Sequence, residues 1–320
     1  MWRYIIQRLL WMIAILLCVA VIIFTIMYFV PGDPAAVQLG TSSTMEQRFE
    51  WREMYGLNDS YFKQLGSFLY NVFLRFDFGN SYTFKVPVMQ ELASRIPRTV
   101  LLGVICIILN ALIGIPIGVL CALKRNTPVD SGTMVLAMVG VSLPDFWLAL
   151  LMVVLFSLKL NLLPPFGIDS WLNWIMPVIA GSVAGIAINA RQTRSAVLET
   201  MRADFVTTAR AKGVPEFKVI CKHMLPNAMI PVIALLGSAF ARCIAGTVVI
   251  ETVFNFPGVG TYLMTGISNR DYPIVRGCVL VLAIFAALSN LVVDLIYAYI
   301  DPRIKAQYIA TSAKKGGKRG

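Results

Sequence analysis

The stretch from Leu9 to Val30 has 22 consecutive positions, and Thr25 is the one clearly polar residue among them. At about 1.5 Å of rise per residue, a helix of that length covers roughly 33 Å, enough to cross the hydrocarbon core of a bilayer. Apolar runs of comparable character follow at Thr99–Leu123, Thr133–Ser157, Trp174–Ala190, Ala228–Ile250 and Gly277–Ile300. Lipid offers no partner for a backbone N–H or C=O, so each run must satisfy its own hydrogen bonds as a helix. The composition agrees: 58% of residues are hydrophobic and 14% charged, where a soluble domain carries about a quarter charged. The expectation is an all-α integral membrane protein with six transmembrane helices. A secretory signal peptide does not account for the first run, which is too long and lacks a small-residue cleavage site. Five of the six cysteines fall in apolar runs with no C-x-x-C spacing. They read as small packing residues, with no disulfide or metal framework.

Interruptions and loops divide the chain. Residues 1–31 form the N-terminal segment and first span. Residues 32–98 hold seven Lys/Arg and seven Asp/Glu, too many to span. They contain the turn-forming sequences Tyr55-Gly56-Leu57-Asn58 and Asp77-Phe78-Gly79-Asn80-Ser81, and predict a small, partly helical external domain. Residues 99–304 form the membrane core, with a charged segment at 191–226, and 305–320 form a basic tail. The second run contains Gly114, Pro116 and Gly118, and the third is interrupted at Ser142-Leu143-Pro144-Asp145.

Charge fixes the expected orientation. One side of the membrane collects Arg3 and Arg8, Lys124 and Arg125, seven Lys/Arg in 191–222 and six in 303–319. The short loops of the other side carry Lys159, Arg270 and Arg276. The positive-inside rule then puts both termini in the cytoplasm. The net charge of +11 is accounted for by topology and anionic membrane lipid, which leaves no need for a nucleic-acid partner.

The charged segment from Arg202 to Pro226 reads as two short helices with a break. Asp204 is expected to cap the first. Gly213 fits the positive-φ position after its last residue. Pro215 suits the first turn of the second helix, and Pro226 a break before the next span. A short amphipathic helix held between spans can seat in a groove of a soluble partner and carry that partner's movement into the bilayer.

Gly213, eleven intervening residues and then Leu225-Pro226 resemble the cytoplasmic loop Glu-Ala-Ala-x-x-x-Gly-x(11)-Leu-Pro of ABC importer permeases. Of Thr207, Thr208 and Ala209, only Ala209 matches the opening triplet. The variant Thr208-Ala209-Arg210-Ala211-Lys212-Gly213 is similar to the peptide and nickel permease branch. So are Val30-Pro31-Gly32-Asp33-Pro34, Glu251-Thr252-Val253-Phe254, Pro257-Gly258-Val259-Gly260, Arg270-Asp271-Tyr272-Pro273 and Asp301-Pro302-Arg303-Ile304. The resemblance implies a type I importer fold in a bacterial or archaeal cytoplasmic membrane. It implies a paralogous permease as partner, two cytoplasmic ABC ATPase subunits and an extracytoplasmic substrate-binding protein. The cargo would be a peptide, or in the same architecture a nickel chelate or an oligosaccharide. Asp204, Thr207, Thr208, Ala209, Arg210, Ala211, Lys212, Gly213, Leu225 and Pro226 would then couple this chain to the ATPase.

The chain has no G-x-x-x-x-G-K-[ST] phosphate loop. ATP and magnesium are therefore expected in partner subunits, with no cofactor, metal or catalytic residue here. The lone histidine, His223, cannot build a metal site or a triad by itself. Charges within spans are costly and usually functional. Asp145 and Arg242 pair with each other, or Arg242 snorkels to water, or the two line a polar path and contact a peptide's charged ends, readings that do not exclude one another. Asp294 is expected to be structural. A secondary transporter would need internal repeats and ion-coupling carboxylates. No repeat is visible, and Asp145 is the one midplane acid. An intramembrane enzyme finds no paired Asp, Ser/His pair or H-E-x-x-H.

Overall fold

A computed structural model of the chain describes residues 2–40 and 42–300, and their side chains except at 2–5, 234, 241–246 and 294–300. The first apolar run is helix α1 (Trp2–Phe29). Short helices α2 (Pro34–Leu39), α3 (Met45–Met54) and α4 (Tyr61–Arg75) follow, and then α5 (Val88–Leu123). The third run is split into α6 (Pro128–Ser142) and α7 (Asp145–Met152), the latter continued by a π-helical segment, Val153–Lys159. Next come α8 (Leu172–Met201), α9 (Asp204–Ala211), α10 (Glu216–Lys218), a π-helical segment at Val219–Met224, α11 (Leu225–Val253), α12 (Val259–Ser268) and α13 (Tyr272–Ile300).

Among the described residues five helices are long and apolar enough to cross a bilayer, and the pair on either side of Leu143-Pro144, bent by 97°, makes a sixth when counted as one broken span. Pro144 cannot donate a backbone hydrogen bond, and it disfavours the helical region for Leu143 before it. The break therefore falls where the sequence placed it. Other boundaries differ. The fourth span was expected to close at Ala190, yet α8 runs on to Met201. No Gly or Pro lies between Arg191 and Met201, and Ala196 and Val197 find an apolar seat outside the span, so the helix continues. Likewise α5 begins at Val88, well before Thr99, because Val88 and Leu92 are buried against Val259, Tyr262 and Ile274.

The chain divides into two compact units. The first comprises Met1–Leu102, Leu162–Trp174 and Ile244–Ala287, and the second Gly103–Asn161, Ile175–Cys243 and Leu288–Gly320. In the first unit the polar segment after α1 is fastened by caps. Asp33 accepts from the Ala35 N–H at 3.0 Å and from Arg52 Nη2 at 3.0 Å, and Thr44 and Gln47 form a reciprocal capping box on α3. The expected turns are present, with positive φ at Gly56 (67°) and Gly79 (84°).

Two buried carboxylates explain motifs whose role was not legible from sequence. Glu251 accepts from the Thr99 hydroxyl at 2.7 Å and from the N–H groups of Gly260 at 2.6 Å and Thr261 at 3.3 Å. It thereby satisfies free donors at the start of α12 and sits at that helix's positive end. A β-carbon at Gly258 would lie 2.4 Å from this carboxylate, and one at Gly260 would lie 2.4 Å from the Val248 backbone. The Pro257-Gly258-Val259-Gly260 sequence is thus a cradle for Glu251. Asp271 accepts from the Ser81 hydroxyl at 2.7 Å and the Thr83 N–H at 2.9 Å, pinning the Asp77–Ser81 turn to the start of α13.

In the second unit α11 approaches α13 closely at a glycine. Gly237 packs directly on Val293, where a β-carbon would meet the Val293 Cγ2 at 2.6 Å. The side chains of Ala241, Ala245 and Asp294 lie outside the described residues.

Candidate functional site

The charged segment between α8 and α11 is a helix held on an apolar seat. Val206 and Ala209, three apart on one face of α9, are buried against Ala122 of α5, Ala196 and Val197 of α8, Val219 and Met224 of the π segment, and Ala228 and Val232 of α11. The opposite face leaves Thr207, Thr208, Arg210, Ala211 and Lys212 exposed. An eight-residue helix is far below the length of about 12–15 residues at which isolated helices become even marginal. Seating on the spans is what holds α9 helical.

Its two ends are built differently. Asp204 was expected to cap α9. Instead Ala203 is the N-cap residue, with φ −72° and ψ 144°, and no side chain caps the helix. The cause is the turn closing α8, in which Arg202 N donates to Glu199 O and Ala203 N to Thr200 O. That turn places the extended residue at 203 and leaves Asp204 in the first helical turn, where its charge complements the helix dipole. At the other end the expectation holds. Gly213 has φ +74°, its N–H donates to Arg210 O at 2.9 Å, and Val214 N–H donates to Ala209 O at 3.3 Å. This is the double closure of a left-handed helix end. Nothing lies within 4 Å of a β-carbon at Gly213, so backbone conformation alone favours glycine there.

Beyond Gly213 the chain turns back. Pro215 is the N-cap of α10, one place before its expected position in the first turn. Arg210 spans the turn with a fork to Glu216, Nη2 to Oε1 at 2.6 Å and Nε to Oε2 at 3.1 Å. Both side chains are exposed, so the pair sets an angle more than it adds stability. The break expected at Pro226 is absent: helical structure runs unbroken from Glu216 through the π turn into α11. Proline is tolerated because the π turn just before it widens the helix and shifts bonding from i−4 to i−5 partners. The neighbouring His223 carbonyl is taken up by the Asn227 side chain at 2.8 Å. Leu225 is half-buried beside the seat and Pro226 exposed.

Sequence reasoning did not single out Phe205 and Phe217, which are 45% and 77% exposed on this otherwise charged surface. Their signal was available: they are the aromatic residues of a segment rich in Lys and Arg. It also missed Asp130 and Arg194. Asp130, 2% exposed, receives Arg194 Nε at 2.6 Å and Nη2 at 2.7 Å, and the Asn126 N–H at 3.0 Å. This two-pronged pair ties the start of α6 to α8 just before the seat residues Ala196 and Val197.

Asp145 is the first residue of α7, at the 97° bend, with an exposed side chain. It has no hydrogen-bond or ion-pair partner among the described residues. Arg242 lies in α11, but its side chain is outside the described residues, so no pairing with Asp145 is described.

The model of the family described as the binding-protein-dependent transport system inner membrane component matches residues 114–306, and that of its N-terminal part matches residues 1–103. The chain belongs to this family. The glutathione transport system permease protein GsiC of Salmonella typhi is 39% identical over 305 residues, covering 95% of this chain and 99% of its own. A putative peptide transport system permease protein of Brucella abortus is 38% identical over 309 residues, covering 94% and 98%. The crystal structure of an amino acid ABC transporter with histidines shares the fold, with a TM-score of 0.52 at 14% identity over 66% of this chain and 94% of that one. The protein is therefore a multi-pass ABC importer permease of type I fold, and the resemblance in its loop motifs is borne out across nearly the whole chain.

Proposed function

We propose that this permease forms half of the translocation path of a peptide importer. A second, similar permease completes the path, an extracytoplasmic binding protein delivers cargo, and two cytoplasmic ATPase subunits hold ATP and magnesium. The observation that carries the reading is the seated helix α9, whose outer face offers Thr207, Thr208, Arg210, Ala211 and Lys212 with Phe205 and Phe217 beside them. Apolar anchors ringed by charge are what a docking surface requires. Peptide cargo rests on the relatives named for glutathione, a tripeptide, and for peptides.

In this reading Asp145 faces the path. A charge at midplane costs about 3 kcal/mol on insertion scales unless water or a partner compensates it, and a water-filled path supplies that water. The test is dipeptide uptake into proteoliposomes carrying the whole complex. Uptake should require ATP, and uptake driven by an ion gradient alone would overturn the proposal. Asp145→Asn should slow it by about tenfold, the equivalent of roughly 1.4 kcal/mol, with basal ATP hydrolysis unchanged. Unchanged uptake would remove Asp145 from the path.

Orientation is proposed with both termini cytoplasmic. A cysteine at Lys63, in α4, should react with an impermeant thiol reagent in intact cells, and one at Gly317 only after lysis. Labelling at Gly317 in intact cells would refute the arrangement.

A further inference from the structure

Arg276, in the second turn of α13, is a cation without a counter-charge. Its guanidinium carbon lies 4.4 Å from the Phe24 ring centre, 5.2 Å from Phe68 and 5.5 Å from Tyr272. Its Nε is buried with no acceptor, and it enters no salt bridge, among the described residues. Stacked aromatic faces offset part of the lost hydration, but a buried donor left unpaired is costly and calls for an explanation.

The surrounding carboxylates are each engaged elsewhere. Asp33 is held by Arg52 at 3.0 Å and by the Ala35 N–H at 3.0 Å. Asp59 is held by Lys63 at 2.8 Å, and Asp77 accepts from the Gly79 N–H at 2.8 Å. Asp271 accepts from Ser81 and Thr83. In the lining of the larger cavity beside it the charges of Asp33 and Arg52 cancel and that of Arg276 remains; Asp77 and Asp271, held by neutral donors, lie outside that lining.

Arg276 also faces open space. A cavity of about 350 Å³ is lined by Tyr28, Arg52, Leu57, Gln64, Tyr272 and Arg276 among others. A second cavity of about 300 Å³ shares Leu57, Gln64 and Arg276. The larger is at the small end of the range of about 300–1,000 Å³ typical of ligand sites. Its other arginine, Arg52, likewise has a buried Nε with no acceptor among the described residues. A guanidinium held against aromatic rings is a fork fixed in place, and the planar two-oxygen anion it matches is a carboxylate.

We infer that this cavity binds the carboxylate of a small molecule of amino-acid or dipeptide size, with Arg276 as the anion's partner and Arg52 as a further donor at the wall. Tyr28 and Tyr272 give the rest of the ligand an aromatic surface. No residue of the site belongs to the 202–226 segment, and the inference does not depend on what the permease transports.

The test uses the assembled complex in nanodiscs, with Leu57→Cys in a chain whose own cysteines are replaced. The probes are N-acetyl-alanyl-alanine and its C-terminal amide, which differ only in the carboxylate. At twice its Kd, the carboxylate should slow labelling of the Leu57→Cys thiol by a water-soluble maleimide about threefold, following 1 + [L]/Kd. The amide should leave the rate unchanged, and Arg276→Gln should abolish the protection. If Arg276→Gln does not accumulate, Arg52→Gln is expected to weaken protection. Calorimetric titration of the unaltered complex with the two probes reads the same preference without any substitution. Equal protection by the amide, no protection by the carboxylate at saturation, or protection retained in Arg276→Gln would each overturn the inference.

Discussion

Ala209→Asp is expected to leave the permease inserted and assembled while abolishing the stimulation of ATP hydrolysis by cargo-loaded binding protein. Ala209 is 7% exposed and its methyl group points into the apolar seat. An aspartate there would bury a carboxylate among valines and a methionine with no partner. An unpaired buried charge costs on the order of 3–5 kcal/mol. Eight residues of helix cannot resist that, because α9 has no stability apart from its seat. The cheapest response is for α9 to lift off, leaving the spans in place. Gly213→Pro should act in the same direction as Ala209→Asp, because proline fixes φ near −65° and removes the N–H that closes on Arg210. ATP hydrolysis by the reconstituted complex, measured with and without loaded binding protein, decides the matter. Stimulation at the unaltered level in Ala209→Asp would end the assignment of α9 as the coupling element.

The second large effect is expected at Asp130. Removing Asp130 takes a two-pronged partner from Arg194, which is itself about a quarter exposed, and Asp130→Ala should lower stability by about 1.5–3 kcal/mol, the worth of hydrogen bonds to a charged group. The readout is the thermal midpoint of the solubilised protein. The double change Asp130→Leu with Arg194→Met should recover most of the loss, since apolar residues of similar volume often replace a buried pair without penalty. Transport should not recover with it. The pair links α8, two residues before the seat, to α6, whose far end meets Asp145 at the bend. A stable but slow double variant is the expected result. An Asp130→Ala protein as stable as the unaltered one would show that the pair carries no load.

Much of this architecture was legible because the bilayer imposes one simple rule on sequence. Length and apolarity gave the spans, Leu143-Pro144 gave the break, and Gly213 gave the end of α9 through its backbone freedom. What escaped depends on partners distant in sequence. Asp130 and Arg194 are 64 residues apart, each among other charges, and nothing local says they meet. Glu251 and its glycine cradle were visible as motifs, but their purpose requires Thr99 to be adjacent. Helix ends failed where packing overrode local chemistry: α8 outran its charges to reach a seat, and Pro226 passed inside a helix because of the turn before it. The cage around Arg276 gathers rings from α1, α4 and α13, and no spacing rule anticipates it.

The π-helical turns at Val153–Lys159 and Val219–Met224 have a mechanical consequence. A π turn carries surplus chain, and it can migrate along a helix by exchanging one hydrogen bond at each end with little change in the total. Each such step turns everything beyond it about the helix axis. The joint at 219–224 stands between the proposed coupling surface and α11. A displacement at Glu216 is therefore free to arrive in the membrane as torsion. The distance a side chain then sweeps depends on its radius from the axis and not on its depth in the bilayer.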